Sequence, residues 1–413
     1  MITVGLDFGT HQTKICVENK DGFELSYSFM RFKDELGILQ YTFPSVIGIG
    51  KDGLLSYGFL PKDYNGEVVS YFKQATFRHQ KGDISQNDSV YFSIWYLAYI
   101  LFDLEEIYGQ EFSIQMGVPT DSHHFESAKR EATSVMISAY HLVEDIFMND
   151  KEMFLSASLD ELKEWTEILP YSKKKKDEYS LLVFPEAYAC LKPLVSRGKI
   201  SKGMNLMIDI GGGTTDISFF NIENNQPQVY DFFSINMGLN YLTKVDDIHI
   251  ARFDIEEKRR AIIDQDCRTN YVNTIWKICH DLQNRIRHEF KEQTELYQYR
   301  IEEAMKNRPL VYCGGGSTFG ELRVRYKDFN EIKVVSHKDW NTKAVKEIED
   351  ISDKKLYPIL STAYGLAIST ENDDISQKPF RDIFDKVRGS KEPNANKTRF
   401  EEYGGYGDYD TWK

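Results

Sequence analysis

Three short apolar runs along the chain each lead directly into a cluster of glycines. The runs read ITVGLDFGTHQTK, LMIDIGGGTTDISFF and LVYCGGGSTFGEL. After the glycines of the first two runs, β-type residues return at Lys14 to Glu18 and at Ile217 to Asn221. This order of strand, glycine turn and strand predicts a β-hairpin, whereas a dinucleotide-binding fold would continue from the turn into a helix. In the third run, Gly314 to Gly316 follow a strand and are expected to open a helix.

Helical periodicity dominates the segments between these loops. Small and apolar residues recur at helical spacing over Ser93 to Gly109 and in FESAKREATSVMISAY, which predicts two helices. From about Thr269 to Lys306 the pattern predicts a long polar helical region, rich in charges spaced i, i+4.

Two segments depart from this scheme. Met148 to Ser180 is interpreted as a surface insertion, with a helix in SLDELKEWTEIL that begins at a capping signature formed by Ser158 and Glu161. The insertion continues into the lysine block Lys173 to Lys176, interpreted as a solvated face rather than a binding patch. From Glu371 onward the chain is polar and ends in EEYGGYGDYDTWK, which predicts disorder, with a partner-binding tail as the alternative.

Length and charge narrow the function classes. The 413 residues are too many for one compact core, so two or three domains are expected. Lys and Arg total 51 and Asp and Glu total 64, so the formal net charge is −13, which argues against a general surface for nucleic acid or anionic membrane. No signal-peptide pattern opens the chain, and its most apolar helical stretch is far shorter than the roughly 20 residues that span a bilayer. A cytoplasmic protein is therefore expected.

The cysteines do not narrow the function classes further. They are Cys16, Cys190, Cys267, Cys279 and Cys313. Because they are scattered and lack CxxC spacing, the spacing indicates neither a zinc site nor a disulfide framework, and reduced thiols are expected.

The first two glycine turns repeat one design: an aspartate, a glycine two residues later, and then threonine. Asp7, Gly9 and Thr10 form the first, and the segment Asp209 to Thr214 forms the second. The repeat suggests two similarly built halves with a cleft between them.

A triphosphate held between two such turns needs backbone N–H groups at close approach, which glycine permits because it lacks a Cβ atom. Asp7 and Asp209 precede the glycines and are placed to bind Mg²⁺ through its waters. Asp216 ends the second turn and is expected to orient the attacking water or another metal-bound water. His11 would donate to phosphate from the first turn, or else point to solvent. The remaining candidate phosphate ligands are Gly9, Thr10, Gly211, Gly212, Gly213, Thr214 and Thr215.

These motifs resemble those of the actin, sugar-kinase and DnaK-chaperone ATPase superfamily. DFGTHQTK, FPEAYA, IDIGGGTTDIS and CGGGSTFGEL look like its phosphate-1, connecting, phosphate-2 and adenosine motifs, in that order. The resemblance implies an α/β fold of two actin-like (ribonuclease H-like) domains that flank a nucleotide cleft, each with smaller subdomain insertions. We place the halves at 1–185, with an insertion at about 148–180, and at 186–370, followed by the tail 371–413. ATP or ADP and Mg²⁺ are the implied cofactors.

The resemblance also assigns further site residues. Lys73, in YFKQATFR, stands in the place of the catalytic lysine of DnaK-type chaperones, whereas Lys14 matches the phosphate-contacting lysine of actin and of plasmid-segregation actins. Which of these lysines contacts the γ-phosphate stays open, and either is alternatively a surface residue. Glu186 would help to hold the metal or the attacking water, or else is an exposed glutamate that begins a helix. Gly315, Gly316 and Ser317 are assigned to the adenosine pocket with Phe319 against the base, and Gly238 is assigned near the ribose and phosphates. The ring of Phe319 is expected to stack on the base or to lie in the core.

Three functions are consistent with this pattern. The first is a chaperone-like, Mg²⁺-dependent ATPase with slow hydrolysis that acts through a protein partner. The alternative is an actin-like ATPase that forms filaments in segregation or cell organisation, and the third is a small-molecule kinase. The implied partners are a nucleotide and either another protein or further copies of the chain, with no membrane or nucleic acid.

Overall fold

The protein is described here by a computed structural model. It describes residues 2–21, 24–61, 63–78, 86–119, 124–169, 179–196, 200, 205–223, 226–243, 263–289, 309–326, 331–340, 348 and 351–371. All of these belong to one compact unit, Met1–Gln377, and a second unit, Lys378–Lys413, lies outside the described residues.

The described chain opens with nine strands before its first helix. The strands are β1 (Ile2–Phe8), β2 (Gln12–Asp21), β3 (Glu24–Phe29), β4 (Phe32–Lys33), β5 (Leu39–Gln40), β6 (Phe43–Pro44), β7 (Val46–Ile49), β8 (Leu55–Tyr57), β9 (Glu67–Ser70), β10 (Phe112–Val118), β11 (Leu182–Pro185), β12 (Asn205–Ile210), β13 (Thr215–Glu223), β14 (Gln226–Ile235), β15 (Pro309–Cys313) and β16 (Glu331–Val334). The α-helices are α1 (Phe72–Arg78), α2 (Gln86–Tyr108), α3 (Phe125–His141), α4 (Lys151–Leu155), α5 (Leu159–Glu167), α6 (Glu186–Ala189), α7 (Lys192–Ser196), α8 (Leu239–Thr243), α9 (Gln265–Glu289), α10 (His337–Trp340) and α11 (Tyr357–Ala367). Short 3₁₀ turns lie at Gly315–Thr318, Gly320–Leu322 and Lys354–Leu356, and a π-helical turn lies at Leu142–Ile146.

The first sheet is built around β1. Its sequence ITVGLDF is apolar on both faces, and every residue from Thr3 to Phe8 is buried, as expected for a central strand covered on both sides. Its strands run in the order β11-β10-β1-β2-β3, with β6 paired to β2. β1 pairs antiparallel with β2 and parallel with β10, which in turn pairs parallel with β11.

The second sheet repeats this plan. Its order is β14-β13-β12-β15-β16. As in the first sheet, three consecutive strands form an antiparallel meander, here β12-β13-β14. The first strand of the meander, β12, also pairs parallel with β15, which pairs parallel with β16. The central strand of each sheet therefore ends at a glycine turn that leads into its antiparallel neighbour. The two predicted hairpins, β1–β2 and β12–β13, are confirmed, and the fold is mixed α/β.

Several predicted helices are confirmed with shifted ends. The helix expected from Ser93 begins earlier, at Gln86, and FESAKREATSVMISAY forms α3. The predicted cap of α5 is present, because Ser158 N donates to Glu161 Oε2 at 2.9 Å and Glu161 N donates to Ser158 Oγ at 3.4 Å. The polar helix expected from about Thr269 forms as α9, and its predicted part beyond Glu289 lies outside the described residues.

The described part of the segment Met148 to Ser180 packs its inner side on the rest of the protein, and its interpretation as a surface insertion stays a prediction. Phe154 and Leu162 are fully buried, and Trp95 Nε1 donates to Thr166 Oγ1 at 2.8 Å. The lysine block and the tail beyond Glu371 lie outside the described residues.

The last helix, α11, joins the two sheets. It packs against β1, β2 and β10 of the first sheet and also contacts β15 of the second. A single hydrophobic core includes Leu6 and Met116 from the first sheet, and Met207 and Val311 from the second. None of the described helices is both long enough and apolar enough to cross a bilayer.

Candidate functional site

The glycine turns of both sheets face one cleft, which holds about 790 Å³ of empty space including its open mouth. Most of the predicted site residues line it together: Asp7, Gly9, Thr10, His11, Lys14, Lys73, Glu186, Asp209, Gly211, Gly212, Gly213, Thr214, Asp216, Gly315 and Phe319. The other four predicted residues, Thr215, Gly238, Gly316 and Ser317, lie beside the cleft and support the segments that line it. The cleft thus gathers residues from both sheets and from the third glycine run.

Ser45 holds the first turn through two hydrogen bonds to its backbone. Ser45 Oγ donates to the carbonyl of Gly9 at 2.7 Å, and Ser45 N donates to the carbonyl of His11 at 2.8 Å. The imidazole of His11 is only 5% exposed and lies edge-on to the ring of Tyr71, with ring centroids 5.1 Å apart. The alternative that His11 points to solvent is therefore wrong.

The second turn is held by the N-terminus of α8. The N–H groups of Gly238, Leu239 and Asn240 donate to the carbonyls of Gly213, Gly211 and Gly212 at 3.2, 3.0 and 2.9 Å. These bonds fix the carbonyl side of the turn. Among the backbone hydrogen bonds of the described residues, none uses the N–H of Gly212, of Gly213 or of Thr10 in the opposite turn. Both turns therefore retain N–H donors for an anion.

The strand registers place the charged residues in equivalent positions on the two hairpins. Asp7 lies directly opposite Lys14 across β1 and β2, and Asp209 lies directly opposite Asp216 across β12 and β13. Opposite residues share a face of the sheet, and the first pair forms an ion pair with 2.7 Å between Lys14 Nζ and Asp7 Oδ2. The second pair places two carboxylates together instead. Thr214 Oγ1 donates to Asp216 Oδ2 at 3.0 Å.

A second ion pair crosses the cleft floor between α1 and α6. Lys73 Nζ donates to Glu186 Oε1 at 2.5 Å, and the two side chains are 2% and 11% exposed. The alternatives of a surface lysine and an exposed glutamate are therefore wrong. Each of the two candidate lysines has its own carboxylate partner, since Lys14 pairs with Asp7.

Crowding of carboxylates changes the acidity of the site. Burial, together with Asp216, Asp7 and Glu186, raises the pKa of Asp209 to about 7. Burial also raises the pKa of Glu186, although Lys73 opposes that shift. For Lys14, burial opposes the charged form, but the neighbouring carboxylates, led by Asp7, raise its pKa overall. Mg²⁺ prefers oxygen ligands, and carboxylates are among them. The site has more carboxylates than cationic side chains, so its residues fit that ion.

The third glycine run forms the end wall of the cleft. It opens a 3₁₀ turn, Gly315–Thr318, rather than the expected helix, and within that turn Ser317 Oγ donates to the carbonyl of Gly314 at 2.7 Å. Gly314 has φ 77°, and a Cβ atom there would collide with Asp209 Oδ1. Phe319 is half-buried and lines the cleft, so it is accessible to a ligand and not enclosed in the core.

Sequence reasoning missed five residues of the lining. They are Gln12, Leu239, Gly314, Ile359 and Thr362. Thr362 has a defined contact, because its Oγ1 donates to Asp209 Oδ2 at 3.3 Å. Nothing in the sequence around Thr362 shows that its hydroxyl contacts an aspartate of the second sheet.

Comparison with known families gives a match to part of the chain. Residues 204–350 match the family model of the Alp7A C-terminal domain, which is the C-terminal domain of a bacterial actin-like plasmid segregation protein. The matched region contains the second and third glycine runs, and it supports an actin-like relationship at a coarse level. No curated protein matches the chain. The match gives no support to the resemblance to DnaK-type chaperones.

Proposed function

We propose that the chain is an actin-like protein that binds Mg²⁺ and ATP in this cleft and uses the nucleotide to control its self-association. One observation carries the proposal. Two glycine turns on equivalent hairpins face a common space, with spare N–H donors at Thr10, Gly212 and Gly213 and aspartates behind them. The common strand order of the two sheets supports an arrangement of two ribonuclease H-like domains.

Different residues of the cleft have different proposed roles. The N–H groups of the two turns and the Lys14 ammonium would hold the phosphates, while Leu239, Phe319 and Ile359 offer an apolar wall to the base. Asp7 and Asp209 would hold Mg²⁺, which when bound neutralises charge on the phosphate oxygens. Asp216 and Glu186 would orient the attacking water for slow hydrolysis.

We assign the phosphate contact to Lys14 rather than to Lys73. Lys14 Nζ lies beside the first turn, where a Cβ atom on Gly9 would be 3.0 Å from it. Lys73 is held by Glu186 and is more deeply buried. We infer that Lys73 positions Glu186. A chaperone-like ATPase remains the second candidate, because this pair includes the lysine that matches the chaperone motif. The kinase alternative is not proposed, and a cytoplasmic location remains a prediction.

Replacing Asp209 by asparagine tests the magnesium assignment. We expect ATP turnover to fall by about 100-fold, because one carboxylate that would hold Mg²⁺ beside the phosphates is removed. The Mg²⁺-dependent part of the ATP affinity should also disappear. The fold should persist, because burial and the neighbouring carboxylates already disfavour the charged form of Asp209. Phosphate release and ATP titrations with and without Mg²⁺ measure both effects.

Asp160→Asn is the control for that variant, since Asp160 is exposed on α5 outside the cleft. Unchanged turnover is expected there. Full turnover in the Asp209→Asn protein would show that the site is assigned incorrectly.

Replacing Leu36 by serine tests self-association. Leu36 is 83% exposed at the tip of the β4–β5 hairpin, and Ile38 beside it is 55% exposed. The tip has a defined shape, because Asp34 Oδ1 accepts from the N–H groups of both residues at 2.9 and 2.8 Å. Burying a leucine is worth about 1.5–3 kcal/mol, so the critical concentration for ATP-induced pelleting should rise about 10- to 100-fold.

Ile107→Ser on α2 removes another exposed apolar side chain, 54% exposed, and should leave pelleting unchanged. If both variants lose pelleting equally, the effect reflects general solubility. The tip of the β4–β5 hairpin would then not be a self-association surface. Failure of the wild-type chain to pellet with ATP at any concentration would reject self-association itself.

A further inference from the structure

Two cysteines that are far apart in sequence meet behind the cleft. Cys190 follows α6, and Cys313 ends β15. Their sulfur atoms and a carboxylate oxygen of Asp209 all lie within 4.8 Å of one another. The cluster results from topology, because Asp209 and Cys313 are register partners in the parallel pair β12–β15 and so share a face of the sheet.

Cys190 approaches that same face from the neighbouring segment. Its Sγ lies 3.9 Å from Met207 Sδ and 3.4 Å from the carbonyl of Ala187. Met207 precedes Asp209 by two residues on β12, and alternate residues of a strand point the same way. Both thiols are buried, while Asp209 is partly exposed and lines the cleft. A cation would thus enter from the cleft and meet the carboxylate before the two sulfurs.

We propose that Cys190, Cys313 and Asp209 form a binding site for a thiophilic divalent cation, Zn²⁺ in a cell, for which Cd²⁺ is the probe. Two sulfurs and one carboxylate oxygen are ligands that zinc accepts in tetrahedral sites. With Zn–S bonds of about 2.3 Å, the ligands of a tetrahedron lie about 3.8 Å apart, so the three groups need to close by at most about 1 Å. The fourth position would face the cleft and take water or a ligand oxygen.

The site shares Asp209 with the proposed magnesium site. If the proposed function is right, a thiolate-bound cation should compete with Mg²⁺ and weaken ATP binding. That consequence rests on the proposed function, whereas binding of the cation itself does not.

Titration of the reduced, untagged full chain with Cd²⁺ tests the site directly. Bonds between thiolate and Cd²⁺ give an ultraviolet charge-transfer band, which should saturate at about one equivalent. The band should be absent in the Cys190→Ser/Cys313→Ser variant and should persist in Cys279→Ser, which removes another buried free thiol. Asp209→Asn should keep the band but bind Cd²⁺ at least about tenfold more weakly.

A wild-type measurement keeps the test independent of how the variants fold. The ¹¹³Cd NMR shift of the saturated chain should report two sulfur ligands. A shift typical of oxygen ligands alone, a missing band in the wild type, or a band that survives in the double serine variant would each overturn the proposal. If Cd²⁺ binds as expected but the chain shows no affinity for ATP, the cation site stands and the proposed function fails.

Discussion

Replacing Lys73 by methionine is expected to lower the free energy of unfolding by about 3 kcal/mol at pH 8, because one partner of a buried ion pair is removed. Lys73 Nζ lies 2.5 Å from Glu186 Oε1, and both side chains are almost inaccessible to water. Without the lysine, the Glu186 carboxylate stays buried near Asp7 and Asp216, whose charges repel it. Urea unfolding of the nucleotide-free chain measures the change.

The same variant should be less destabilised in acid. Burial, with Asp7 and Asp216, already raises the pKa of Glu186 above its ordinary value of 4.5, and loss of Lys73 raises it further. The folded variant then keeps a proton that the unfolded chain releases above that ordinary value. The contribution of Glu186 to the stability of the variant is therefore greatest at or below the ordinary pKa and is lost as the pH rises through the raised one.

A double variant tests whether the unpaired charge of Glu186, rather than the changed shape of residue 73, causes the loss of stability. Lys73→Met/Glu186→Gln removes both charges, so most of the lost stability at pH 8 should return and the added pH dependence should vanish. Lys151→Met is the comparison, because its ion pair with Asp103 is more exposed and should be worth less. If the double variant is as unstable at pH 8 as Lys73→Met alone, unpaired charge on Glu186 does not explain the loss.

The hairpins could be predicted from the sequence because their signals are local. Apolar strands flank each glycine turn, and the separation of Asp7 from Lys14 equals that of Asp209 from Asp216. In a hairpin with one tight turn, that spacing makes both pairs direct cross-strand partners, as the registers confirm. The hairpin pattern thus located Asp7, Asp209, Asp216 and the glycines of the first two turns, while the resemblance assigned Lys14, Lys73 and Glu186.

Contacts between distant segments could not be predicted in this way. Lys73 and Glu186 were each recognised from a separate motif, yet no local pattern indicates that they form an ion pair. Cys190 and Cys313 lack any metal-binding spacing, and they meet only because β15 lies beside β12. Such neighbours depend on strand order and on the packing of α6, and these are properties of the whole fold.

The role of Gly238 also depends on tertiary packing. The resemblance places it near the ribose and phosphates, and in the structure it lies behind the second turn, just before α8. A Cβ atom on Gly238 would lie 2.5 Å from the carbonyl oxygen of Gly212 and 2.6 Å from the carbonyl carbon of Gly213. Both contacts are with backbone, so no side-chain rotation can relieve them. The turn itself would have to move.

Replacing Gly238 by alanine is therefore expected to weaken ATP binding by about 10- to 100-fold. Overpacking of this kind costs about 1–3 kcal/mol, and the displaced N–H groups of Gly212 and Gly213 would no longer face the phosphates. The dissociation constant of a fluorescent ATP analogue, measured beside the thermal unfolding midpoint, separates a local displacement from a general loss of stability.

Gly320→Ala is the matched control, because the nearest atom to its added Cβ would be the flexible Arg323 Nη2 at 3.6 Å. That variant should bind the analogue as the wild type does. In Gly238→Ala, affinity should fall while most of the chain remains folded at the temperature of the assay. Wild-type affinity in Gly238→Ala would mean that the backbone of the second turn does not hold the nucleotide, because its N–H groups cannot stay in place when the residue packed against their carbonyls gains an atom.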